Sequence, residues 1–247
     1  PGGCSGMTLD LARFEALTFD CYGTLIDWNT GVLAALRSIL GAHASGVSDS
    51  DLLTLYGRFE HEAEHPAPGG GHKAYRDALR EVVDRFGAHF GFTPTQAQRD
   101  ALPESVARWP AFPDTADALR ALKRRYRLAV LSNIDRDIFA HTAPKLGVDL
   151  DALVTAQDVG SYKPRRAHFD EGLKRLGLPR ERVLHVAQSL YHDVAPARAL
   201  GFSTVWVARA GGGAGASFDG ARDAKPDLVV PDLATLAAMA DAAFSRR

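Results

Sequence analysis

Ala16-Leu17-Thr18-Phe19-Asp20-Cys21-Tyr22-Gly23-Thr24-Leu25 is the stretch on which the reading of this chain turns. Residues 16–19 form a short apolar run without the polar alternation of a half-exposed strand, which predicts a buried parallel strand. The run stops at a carboxylate, Asp20, and soon meets Gly23, where the backbone can turn. An acid at the carboxyl end of a central strand in an open α/β sheet stands where such folds carry their chemistry. An Asp that merely caps the following turn explains these residues equally well.

Working outward, strands alternate with helices from Phe112 onward. Apolar strands are expected at 128–131, 152–154, 183–186, 204–207 and 228–230, with helices at 114–125, 137–146, 166–176, 193–200 and from Asp232. That alternation implies βαβ units and a doubly wound, mainly parallel sheet. Between Trp28 and Trp109 the grain is different, with no strand pattern. Helices are expected at 31–40, 48–64 and 73–90, the last burying Ala74, Leu79, Val82, Val83 and Phe86, and Thr93-Pro94 opens a fourth. Pro66 to Gly71 marks a break. This insertion reads as a helical cap over the tip of the first strand.

Composition sets bounds on function. The 247 residues are 46% hydrophobic and 24% charged, ordinary for a soluble globular protein with a core and a cap. Lys and Arg number 29 against 30 Asp and Glu, so the net charge of -1 gives no support for nucleic-acid binding. No apolar run approaches the roughly 18 residues needed to span a bilayer, so no membrane partner is expected. Pro1 to Gly6 precedes Met7 and reads as an expression scar. With two cysteines, Cys4 and Cys21, a disulfide framework is excluded and a cytoplasmic location is expected. Cys21 reads as a packing residue. The run 210–216 lacks GxGxxG spacing and a following helix, so it is no phosphate cradle.

Three further strand ends carry polar groups. Ser132-Asn133 follows the 128–131 strand, either as a helix cap or as a holder of an anionic group. Lys163 precedes Pro164 and a helix. The 183–186 strand leads into Gln188-Ser189-Leu190-Tyr191-His192-Asp193. His185, inside that strand, reads as a buried, hydrogen-bonded core histidine, and His61, His65 and His72 read as surface residues without metal spacing. A Ser–His hydrolase pair lacks its G-x-S-x-G elbow.

Phe19-Asp20-Cys21-Tyr22-Gly23-Thr24-Leu25 resembles the first motif of the haloacid dehalogenase superfamily, and Lys163-Pro164 its third. The resemblance runs from Leu17 to Leu236 and implies a Rossmann-like core of 7–28 and 110–247 with an inserted four-helix cap of 29–109. It also implies that Asp20 is a covalent nucleophile paired with Lys163. Phosphatases of the superfamily carry a second Asp where this chain has Tyr22, and metal-dependent relatives carry an Asp where it has Gln188. Both departures resemble the type II, (S)-2-haloacid dehalogenase branch, since a departing halide needs no proton. The resemblance therefore implies hydrolysis of a short 2-haloalkanoic acid through an Asp20 ester, without metal or cofactor. Asp193 would then polarise water, Ser132 and Asn133 hold the substrate carboxylate, and Tyr22, Ser189 and His192 line the pocket. Arg58 is the cap residue expected to cradle the halide. The runner-up is a superfamily phosphatase or another small-carboxylate hydrolase with a non-halide leaving group. The apolar cap would serve a homodimer or plain cap–core packing equally well.

Overall fold

The computed structural model describes residues 9–64, 72–209 and 224–246. The scar at Pro1 to Gly6, His65, the break at Pro66 to Gly71 and the run 210–216 lie outside the described residues. Six strands appear among those residues: β1 (Ala16–Phe19), β2 (Arg127–Ser132), β3 (Ala152–Thr155), β4 (Val183–Ala187), β5 (Ser203–Val207) and β6 (Leu228–Val230). They form one parallel sheet in the order β3-β2-β1-β4-β5-β6. β1 is central, buried at all its positions, and sets Leu17 level with Leu128 and Leu184.

Side chains alternate between two apolar layers. Leu17, Phe19, Leu128, Val130, Leu184 and Val186 join one core with α5 (Thr115–Lys123) and α10 (Leu233–Ser245). Ala16, Ala129, Leu131 and Val183 join the other with α8 (Ala167–Leu176) and α9 (Ala195–Ala199). Both faces are therefore covered, which is why the strands read as continuous apolar runs. α6 (Arg136–Leu146) and a single turn, α7 (Ala156–Val159), complete the core helices. The chain runs outward from β1 in both directions, so a crevice opens at its carboxyl end.

Four helices are inserted after β1: α1 (Trp28–Leu40), α2 (Asp49–Glu64), α3 (Tyr75–Phe90) and α4 (Gln96–Ser105). Both connections leave the sheet side by side. Ile26 and Ala111 form an antiparallel bridge, Asp27 donates its N–H to the Pro110 carbonyl at 2.8 Å, and Phe112 donates to Leu25 at 3.1 Å. The Asp27 side chain then caps α1 through the Thr30 N–H. α4 begins later than the Thr93-Pro94 signal suggests, because Thr95 and Gln98 form a reciprocal capping box. Ala74 is exposed at the cap position of α3, and Tyr75 takes the buried place expected of it. Among the described residues no helix is long and apolar enough to cross a membrane.

Candidate active site

Asp20 lies one residue past β1, in the turn made by Gly23, whose φ of +95° suits glycine. A Cβ at Gly23 would also stand 3.0 Å from the Trp28 ring. Within that turn Thr24 donates its hydroxyl to Asp20 Oδ2 at 2.9 Å and accepts the Gln188 N–H at 2.9 Å. Thr24 thereby ties the β1 tip to the β4 tip.

Lys163 is 1% exposed, and its ammonium has three partners: Asp20 Oδ1 at 2.9 Å, Asp193 Oδ1 at 2.6 Å and the Leu131 carbonyl at 2.9 Å. All three of its protons are thus used, fixing it as a buried charge. Burial alone would lower the Lys163 pKa, but the Asp193 and Asp20 carboxylates outweigh it and raise it. Burial likewise works to raise Asp193, and Lys163 and His185 overcome it, holding that carboxyl at about 2. Asp20 is raised, by burial first and by the Asp193 charge, with Lys163 and Thr24 opposing. One cation thus serves two buried acids, an arrangement stable only while all three members are present.

Asp193 arrives differently from expectation. Instead of opening a helix it sits inside a wide five-residue turn, Leu190–Val194, capped by the Ser189 hydroxyl through the His192 N–H at 3.1 Å. The turn buries Asp193 completely and leaves its Oδ2 without a hydrogen-bond partner on the wall of a cavity. Its Oδ1 also accepts from His185 Nε2 at 3.0 Å, and His185 Nδ1 meets the Thr18 hydroxyl at 2.9 Å. His185 is the core histidine expected from its strand. Its bond to the carboxylate was hidden in the sequence, because β1 and β4 become neighbours only in the sheet.

The cavity, ≈ 90 Å³, is closed on one side by the strand ends and on the other by the cap. Asp20, Tyr22, Ser132, Asn133, Lys163, Ser189, His192 and Asp193 all line it. The Ser132 hydroxyl is buried there without a partner. Tyr22 presents its ring, packed edge-on to Trp109, while its hydroxyl bonds Thr142 at 2.8 Å. Cys21 is fully buried, and burial pushes its thiol up, as befits a packing residue.

Three expectations need correction. Arg58 is exposed, with its guanidinium 4.8 Å over the Phe59 ring, and does not line the cavity. The inward face of α2 carries Tyr56, Gly57, Glu60, His61 and Glu64, and one residue's step along a helix rotates Arg58 off that stripe. Asn133, expected to offer its amide to a substrate carboxylate, lines the cavity with that amide already bonded to protein groups. It accepts the Lys163 N–H at 2.7 Å, donates to the Lys163 carbonyl at 3.2 Å and bonds the Glu64 carboxyl. His61, expected on the surface, lines the cavity, whereas His72 is exposed as expected. Thr24, Glu60 and Glu64 were missed as site residues. The last two could have been found from their four-residue spacing after Tyr56.

Among the described residues no group of three His, Cys, Asp or Glu side chains could hold a metal ion. Gln188 and the Lys163 ammonium stand close to the two core carboxylates.

Comparison with known proteins agrees with this geometry. A 2-haloacid dehalogenase, "(S)-2-haloacid dehalogenase" of Pseudomonas fluorescens, is 28% identical over 241 residues, covering 92% of this chain and 96% of that protein. The (S)-2-haloacid dehalogenase of Pseudomonas sp. (strain YL) is 33% identical over 215 residues, 80% of this chain and 84% of its own. The L-2-haloacid dehalogenase of Xanthobacter autotrophicus with chloropropionic acid covalently bound shares the fold at a TM-score of 0.75 and 21% identity, covering 92% of this chain and 98% of that one. A family model, the haloacid dehalogenase-like hydrolase, matches residues 14–201. The chain therefore belongs to the haloacid dehalogenase-like hydrolases.

Proposed function

We propose that the protein hydrolyses the carbon–halogen bond of a short 2-haloalkanoic acid through an ester on Asp20. The observation that carries this is the Lys163 ammonium held between Asp20 and Asp193, with the second oxygen of Asp193 facing the cavity unpartnered. In the first step an Asp20 carboxylate oxygen attacks the halogen-bearing carbon in line. The C–O bond forms, the carbon–halogen bond breaks, and its electron pair departs with the halide. The Lys163 ammonium favours the ionised form of Asp20 against the pull of burial. The Ser132 hydroxyl donates to the substrate carboxylate.

In the second step water attacks the ester carbonyl of Asp20. Asp193, held at about 2 and so always ionised at neutral pH, accepts the water proton on its open oxygen. Lys163 offsets the charge that builds on the carbonyl oxygen. The adduct then collapses: the ester C–O bond breaks, the 2-hydroxy acid leaves with the proton that Asp193 had taken, and the Asp20 carboxylate is restored. Tyr22 in place of an acid suits a leaving group that departs without a proton. No metal takes part in either step. Support for the substrate class comes from the relatives named (S)-2-haloacid dehalogenase, which align over most of the chain.

The test is direct. Chloroacetate, fluoroacetate, both enantiomers of 2-chloropropionate and an aryl phosphate are incubated with the enzyme, with and without a chelator. Halide release unaffected by chelator, with the aryl phosphate intact, is expected. Chelator-sensitive phosphate release with no halide would overturn the reading. Single turnover in heavy-oxygen water should place label in the peptide containing Asp20.

A further inference from the structure

The cap side of the cavity is itself acidic. Tyr56, Glu60 and Glu64 stand on one stripe of α2, and Glu60 Oε1 accepts hydroxyl protons from Tyr56 at 2.9 Å and Tyr75 at 2.6 Å. Glu64 is 7% exposed and hydrogen-bonded by Asn133. Burial raises both carboxyls, and the charge of Glu60 raises Glu64 further, while the two phenols favour an ionised Glu60.

Against the four carboxyl side chains of Asp20, Glu60, Glu64 and Asp193, Lys163 is the one lysine or arginine lining the cavity among the described residues, and its protons are all engaged. His61 and His192 are the other titratable bases there. An anion leaving toward this wall meets two carboxyl groups and no arginine among the described lining residues. Trp28, Tyr56, Tyr75 and Trp109 add aromatic surface, which suits a cation. Independently, the Ser132 hydroxyl, 1% exposed and without a partner, points to a ligand in this same cavity.

We propose that Glu60 and Glu64 form a subsite for a protonated nitrogen, so that the short acid turned over carries an ammonium group beyond its reacting carbon. This rests on the reading of Asp20 as the displacing group. The ammonium donates to the Glu60 and Glu64 oxygens and faces the rings. Its charge stands near the departing halide, in the role the cap cation was expected to play. Asp20 oxygen bonds to carbon, the halide leaves with the electron pair of its bond, and the nitrogen keeps its proton throughout.

Propionate and β-alanine differ only in the ammonium and contain no leaving group, so their binding is measured by calorimetry on the intact protein near pH 7. β-Alanine should bind at least about tenfold more tightly, and Glu60→Gln and Glu64→Gln should each erode that preference. Equal binding, tighter propionate or no measurable β-alanine binding by the wild-type protein overturns the subsite, whatever the variants do. Preference for β-alanine without halide release from any halo acid would keep the subsite and remove the dehalogenase reading. Halide release without that preference would do the reverse.

Discussion

Asn133 grips Lys163 at both ends of its peptide, accepting the N–H at 2.7 Å and donating to the carbonyl at 3.2 Å. The residue that reads as a substrate ligand in the sequence thus also braces the buried cation. Asn133→Ala should lower kcat by about ten- to a hundredfold while leaving KM for 2-chloropropionate within about threefold. A rise in KM at constant kcat would return Asn133 to the substrate.

Asp20→Asn should lower halide release by ~10³-fold or more, with an unchanged circular dichroism spectrum. Asp193→Asn should form the ester and fail to open it, so intact-protein mass spectrometry should find the chain heavier by the acyl group. Unmodified Asp193→Asn protein after incubation would mean that Asp193 works in the first step.

Activity should also report the raised pKa of Asp20. The nucleophile must be ionised, and burial with the Asp193 charge lifts its pKa above the 3.8 of a free side chain. Because the ionised form is the active one, kcat/KM should climb with pH through a midpoint above that value. A midpoint below 3.8 contradicts the geometry.

His185 donates to Asp193 from inside β4, and so contributes to the low pKa of that carboxyl. Removing the donor in His185→Phe should raise the Asp193 pKa from about 2. The acid limb of ester hydrolysis should then move to higher pH than in the wild-type protein, and that step should slow more than ester formation on this limb. Rapid-quench measurement of the two steps separates them.

Trp109 lines the cavity beside Tyr22, and Gly31 on α1 leaves it room: a Cβ there would overlap the indole. Gly31→Ala should cost about 2 kcal/mol, or about 6 °C in Tm, by pushing the ring aside. A thermal melt checks this.

Strand positions and the Asp20 turn were legible because a doubly wound sheet writes its central strands as uninterrupted apolar runs, as at 16–19 and 128–131. Lys163 and Asp193 were legible through short motifs. What stayed hidden depends on helical phase or on contacts across the sheet. Reading α2 one residue out of phase exchanges Gly57 for Arg58, which reverses the charge assigned to the cap wall. The Thr18–His185–Asp193 chain joins residues that meet only when β1 lies beside β4. Asn133 carried a plausible ligand's chemistry, and nothing local revealed that its amide was already occupied.

The paired connections at Ile26 and Ala111 make the cap a single excursion from the sheet. Entry and exit of the α1–α4 segment lie side by side and are stitched together by main-chain bonds. The segment thus leaves and rejoins the sheet at one point, while Glu64 reaches the trio through Asn133. The division of labour is spatial: the strand tips carry the charged trio, and α2 supplies the facing wall against which a small acid must fit.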